Sequence, residues 1–105
     1  MTNKDPRMTG PTLKVLRALL ENPSKSLAGS DIRRLTGVGP GTLYPILMRL
    51  EEADWLKSEW ENIDPSKEGR PRKRFYQLTG CGLRKAQNAF REHTLPSTQG
   101  GLTWA

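Results

Sequence analysis

The chain of 105 residues has one cysteine, Cys81, and one histidine, His93. A lone cysteine forms no internal disulfide and no multi-cysteine metal site. No metal-ligand spacing is present, and no nucleophile, base and orienting group stand together, so neither catalysis nor a cofactor is expected. No apolar run approaches the roughly 20 residues that span a bilayer, which argues against a membrane partner. Met1 to Arg7 carries no apolar segment of the signal-peptide kind, and a cytoplasmic location is the expectation.

Acidic residues are the scarcer charge: 11 Asp and Glu stand against 17 Lys and Arg, a formal net charge of +6. Such a field attracts polyanions, and nucleic acid is the leading partner class, although basicity alone also serves solubility. The length suits one domain whose core is only marginally sufficient, so burial against a second copy would help.

Residues 1–8 are polar and aperiodic and read as a flexible arm, residues 9–94 as the folded domain, and residues 95–105, with Gly100-Gly101 and Trp104, as a flexible tail. Thr9 is a candidate N-cap for a helix from about Pro11 to Asn22, whose broad apolar face comprises Leu13, Val15, Leu16, Leu19 and Leu20. Lys25 to Gly29 reads as a connector, and Ser30 or a neighbour as the cap of a second helix with Ile32 and Leu35 inward. Gly37-Val38-Gly39 then forms a turn into a third helix, about Pro40 to Ala53, in which Leu43, Ile46, Leu47 and Leu50 make a core stripe. Pro45 falls early enough that the amide it lacks is expected to be nearly an orphan. Asp54 is a plausible left-handed stop.

Leu56 to Asn62 and Arg72 to Leu78 alternate as strands and pair as a hairpin around the long loop Ile63 to Pro71, a wing; Trp55 and Trp60 read as its core residues. Thr79 caps a last helix, about Gly80 to His93, lined by Leu83, Ala86 and Phe90. The fold class is mainly α with a small β-hairpin, a winged helix-turn-helix in the order α-α-α-β-β-α.

Two blocks carry a family resemblance. Gly41-Thr42-Leu43-Tyr44-Pro45-Ile46-Leu47-Met48-Arg49-Leu50-Glu51-Glu52, followed by Trp55-Leu56, resembles the recognition-helix signature of PadR-like transcriptional regulators. Gly69-Arg70-Pro71-Arg72-Lys73-Arg74-Phe75-Tyr76-Gln77-Leu78-Thr79 resembles that family's wing and following cap. The entry to the second helix departs from the common His-Gly-Tyr-Glu-Ile pattern, and Asp54 stands where Gly is common. With one helix after the wing, the chain is similar to the short members. The resemblance implies a homodimer built from the first and last helices, repression of transcription and, in some members, a phenolic or drug-like aromatic effector at the dimer interface.

A major groove admits one helix and is read by the face turned from the core. On the third helix that face holds Thr42, Tyr44, Pro45 and Arg49, with Gly41 permitting close approach. The plainer readings are that Tyr44 packs on the second helix and that Arg49 pairs with Glu52 or Asp54. In the wing, Arg70, Arg72, Lys73 and Arg74 place four cations in five residues; Arg70 and Arg72 lie nearest the tip and are the favoured contacts, with Asp64 and Glu68 close enough to solvate the run. Arg34, with Arg33, can brace a phosphate, and Lys4 and Arg7 add weaker attraction. Leu16, Leu20, Leu83, Ala86 and Phe90 are the expected dimerisation residues. The function read from all this is sequence-specific binding of double-stranded DNA by a homodimer. Its rival is a winged-helix module for protein interaction or RNA binding, which would need neither a basic wing nor a polar face on the third helix.

Overall fold

The computed structural model describes residues 5–93. Thr9 opens α1 (Gly10–Leu20): its Oγ1 accepts from the Thr12 amide at 3.3 Å, and Pro11, with no amide to satisfy, stands in the first turn. The helix ends two residues before Asn22, because a residue preceding proline is disfavoured in helical geometry and Pro23 follows. Val15, Leu16 and Leu19 are buried, and α1 packs against α2 (Gly29–Thr36), α3 (Pro40–Glu52) and α5 (Gly80–His93). That central position accounts for the breadth of its apolar face.

The segment read as a connector contains a strand, β1 (Leu27–Ala28), which completes a three-stranded antiparallel sheet of order β1-β3-β2 with β2 (Leu56–Trp60) and β3 (Arg74–Leu78). Leu27 lies opposite Tyr76 and Ala28 opposite Phe75. The wing loop adds one helical turn, α4 (Pro65–Glu68), opened by Asp64, whose Oδ1 accepts from the Ser66 amide at 3.0 Å, and closed by Gly69 at φ 71°. The winged helix-turn-helix therefore stands, with β1 and α4 added to the expected order.

The cap of α2 falls on a residue near Ser30, and the effect of Pro45 in α3 differs from expectation. Ser30 is not the cap of α2; Ala28 holds that place, and its amide donates to Asp31 Oδ2 at 3.2 Å, a carboxylate reaching back to an otherwise orphaned donor. In α3 the first full helical bond is Leu43 N to Gly39 O at 2.8 Å, so Pro45, two residues on, removes a genuine ladder bond to the Gly41 carbonyl. Gly41 is exposed, and water can take that carbonyl. The stops follow the residue chemistry: Gly37 at φ 73° closes α2, and Asp54 at φ 65° follows α3.

The core gathers Val15, Leu16, Leu19, Ile32, Leu43, Ile46, Leu47, Leu50, Trp55, Leu56, Leu78 and Ala86. Leu35 is a correction: it is 57% exposed, because α2 is short and only its Ile32 side meets the core. Trp60 is another. It shares a strand face with buried Leu56, yet it is 57% exposed because the hairpin runs past the end of the core. Thr79 caps α5 as expected, accepting from the Gly82 amide at 2.8 Å and donating to the Asp54 carbonyl at 2.6 Å. A Cβ on Gly82 would overlap the Trp55 carbonyl, so this glycine permits α5 to rest on the α3–β2 corner.

Residues 5–8, the described part of the expected arm, contain an anchored side chain: Asp5 accepts from Lys85 Nζ at 2.9 Å and from Trp55 Nε1 at 3.3 Å. Lys4 and Trp104 lie outside the described residues, as does the expected tail. Among the described residues no helix is long and apolar enough to cross a membrane, and no group of His, Cys, Asp or Glu could hold a metal ion.

Candidate nucleic-acid interface

Helix α3 is carried on its buried stripe of Leu43, Ile46, Leu47 and Leu50, which turns Gly41, Thr42, Tyr44, Met48 and Arg49 outward. Pro45 is half-buried. The Arg49 guanidinium has no ion-pair partner among the described residues, and it borders a hollow shared with Pro6, Arg7 and Thr9. Tyr44 is 42% exposed and also touches the second helix: a Cβ on Gly29 would lie 2.8 Å from both its Cε1 and its Oη. The ring thus lies across the start of α2, and both readings of Tyr44 describe part of its position.

On α2, Arg33 and Arg34 are exposed, and Arg34 Nη2 bonds Asp31 Oδ1 at 3.0 Å. Burial works to raise the Asp31 carboxyl, but Arg34 and the Ala28 amide together hold it below its ordinary range. Asp31 therefore stays charged and steers Arg34 along the helix.

The wing residues are ordered chiefly by Glu61, and not by Asp64 or Glu68, the acids that lie nearest the cation run in sequence. Arg70 meets it with both terminal nitrogens, Nη1 to Oε1 at 2.8 Å and Nη2 to Oε2 at 2.9 Å, and the Lys73 amide donates to Oε1 at 3.1 Å. The Arg70 guanidinium is the main reason that the Glu61 carboxyl is held down at about 2, against the opposing effect of burial and with the Lys73 amide helping. Asp64 is occupied as the cap of α4, so the pairing crosses the base of the loop instead of staying inside it. The local sign was two acids, Glu59 and Glu61, on the strand expected to face the cation run across the hairpin.

Arg72 donates from Nε to the Ile63 carbonyl at 3.2 Å, which orients the side chain, and no salt bridge holds its charge among the described residues. Arg74 stands 4.9 Å over the Trp60 ring and 3.6 Å from Glu51, whose Oε2 also accepts from the Ser58 hydroxyl at 2.6 Å. No salt bridge holds the Lys73 ammonium among the described residues. A cleft of about 400 Å³ joins the parts, lined by Ser30 of α2, Tyr44 of α3, and Trp60, Arg72, Lys73 and Arg74 of the wing. The structure thus brings Tyr44 to the wing cations, whereas Arg49 borders a different hollow, toward residues 6–9.

The residues expected to pair two copies divide differently. Leu16 and Ala86 are fully buried within the chain, in the core that α1 and α5 help to form. Leu20, Leu83 and Phe90 are half-buried and pack at the margin of the core.

A helix-turn-helix whose second helix presents a polar face beside a basic hairpin defines a winged helix-turn-helix protein. The chain belongs to the Transcriptional regulator PadR-like family, whose model matches residues 26–88. Among solved structures, it is similar to AbfR of Staphylococcus epidermidis at 23% identity and TM-score 0.69, over 93% of this chain and 61% of that one. It is similar to the PcaV transcriptional regulator of Streptomyces coelicolor in complex with its natural ligand, at 22% and 0.63, over 81% and 55% of the two chains. NadR in complex with 4-hydroxyphenylacetate aligns at 24% and 0.64, over 80% and 54%. The chain therefore spans about three fifths or less of the length of these structures. No match is found among curated proteins.

Proposed function

We propose that this chain binds double-stranded DNA with sequence specificity as a homodimer and represses transcription. Residues 9–94 form the binding unit. Helix α3 enters the major groove and the wing lies on the backbone or in the minor groove. The observation that carries the reading is the cleft in which Tyr44 of α3 and the cations Arg72 and Lys73 of the wing border one hollow. Thr42, Tyr44 and Arg49 read or brace the groove, Pro45 sets the path of the helix between them, and Arg34 approaches a phosphate beside α2. Arg72 and Lys73 supply the wing contact. Arg70 serves mainly to hold the wing together.

One helix reads few base pairs, and a second copy related by two-fold symmetry doubles the site. The half-buried margin at Leu20, Leu83 and Phe90, with α5 as the pairing helix, is the proposed contact. Sedimentation at micromolar concentration is expected to give a dimer. The likeness to NadR in complex with 4-hydroxyphenylacetate supports a small aromatic effector, tested by whether that compound lowers affinity for DNA.

The decisive experiment is selection of bound sequences from a random duplex pool. A two-fold palindrome supports the reading, and no enrichment overturns it. Affinity for the selected site should fall with salt at a slope of about −0.9 for each phosphate neutralised. A reporter gene placed behind that site should be silenced when the protein is present and released when it is absent.

A further inference from the structure

Four cations crowd the wing between residues 70 and 74, and an open run of this kind would favour every duplex alike. The structure treats them unequally. Arg70 is held by both carboxylate oxygens of Glu61, Arg74 lies between the Trp60 ring and Glu51, Arg72 is oriented by the Ile63 carbonyl, and Lys73 carries no salt bridge among the described residues. Glu61 also accepts from the Lys73 amide, while its own backbone amide donates to the Lys73 carbonyl at 2.7 Å. One residue therefore closes the loop between positions 61 and 73 and neutralises a cation within it.

We infer that Glu61 is a specificity-determining residue of the wing: it withholds Arg70 from the DNA backbone and fixes the loop so that Arg72 and Lys73 are the cations presented. The inference rests on the DNA-binding reading above. The side chain of Glu61 is only 18% exposed, whereas that of Arg70 is 40% exposed. Loss of the acid would thus leave a charged guanidinium at the surface within reach of a phosphate. A bidentate arginine–carboxylate pair in fixed geometry resists exchange for a phosphate more than a single-point contact does.

The test compares the wild type with E61Q and with E61Q/R70Q, on the selected site and on random duplex across a salt series. E61Q is expected to bind random duplex about threefold to tenfold more tightly at low salt, with a slope steeper by about 0.9 per protomer, and to lose part of its preference for the selected site. E61Q/R70Q should return the slope to that of the wild type. A slope and preference unchanged in E61Q overturn the inference while leaving the DNA reading intact, and a wild type without salt-dependent duplex binding overturns both. The wild type offers a test that needs no variant. In guanidinium NMR, the Arg70 signals should hold their shifts when duplex is added while those of Arg72 move; movement of Arg70 from its free position overturns the inference.

Discussion

Helix α3 and the wing border one cleft but are constructed in opposite ways. On α3, periodicity sends the leucines and isoleucine inward, and Thr42, Tyr44 and Arg49 emerge on the other side; Arg49 meets no internal counter-charge among the described residues. In the wing every arginine of the run is engaged within the chain: Arg70 by Glu61, Arg72 by a carbonyl, Arg74 by an indole and a carboxylate. A helix presents its side chains through its own regular geometry. A hairpin loop lacks that rigidity, and here cross-strand bonds supply it. Charge counted from sequence therefore approximates what the helix offers and overstates what the wing offers.

The largest expected effect lies behind the helix face. Leu47 is 1% exposed, and Leu47→Ala should destabilise the fold by about 2–5 kcal/mol in denaturant titration, through lost burial and the cavity left behind. A loss below about 1 kcal/mol would mean that the stripe does not hold α3 in place. Next in size is Arg49→Ala, which should weaken binding to the selected duplex by about 1–3 kcal/mol while thermal stability changes little. Equal affinity would break the contrast on the helix side, leaving Arg49 as a solvated charge. On the wing side, Arg72→Gln and Lys73→Gln should each weaken binding to all duplexes alike and make the salt slope shallower by about 0.9 per lost contact. A change confined to particular bases would instead make the wing a reader of sequence.

The same contrast governs how much was legible in advance. Leu43, Ile46, Leu47 and Leu50 identify the inward face of α3, and Thr79, Gly37 and Asp54 mark boundaries that the structure keeps, because helical period and capping chemistry act over a few residues. The strand Leu27–Ala28 was hidden because two residues show no alternation, and its partner stands almost fifty positions away. Trp60 was placed in the core because alternation assigns a face but not the distance along a strand at which the core ends. Leu16 and Ala86 are buried in the chain's own core, and an apolar helix face does not by itself tell that core from a contact with a second copy. Most consequential for the site, Arg70 ranked with Arg72 as an exposed contact because both lie near the loop tip. The acid that binds it is nine positions away and becomes adjacent only when the hairpin closes.

The smallest effect sharpens the comparison most directly, since it reads the wing's internal bond without any substitution. The Glu61 carboxyl sits at about 2 in the folded chain against an ordinary 4.5, so the folded state binds its proton less readily than the unfolded state does. The stabilisation is therefore fully present above about pH 4.5 and is lost as the pH falls through that value toward 2. The pair is close to solvent, and the effect on global stability should be small and should shrink with added salt. It is read most clearly at the residue: the side-chain carboxyl signal of Glu61 should titrate with a midpoint near 2, while the Arg70 guanidinium signals lose their ordered character in the same interval. A midpoint near 4.5 would show that the bidentate bond is not held in solution. The wing would then present Arg70 as freely as α3 presents Arg49, and the contrast between the two regions would disappear.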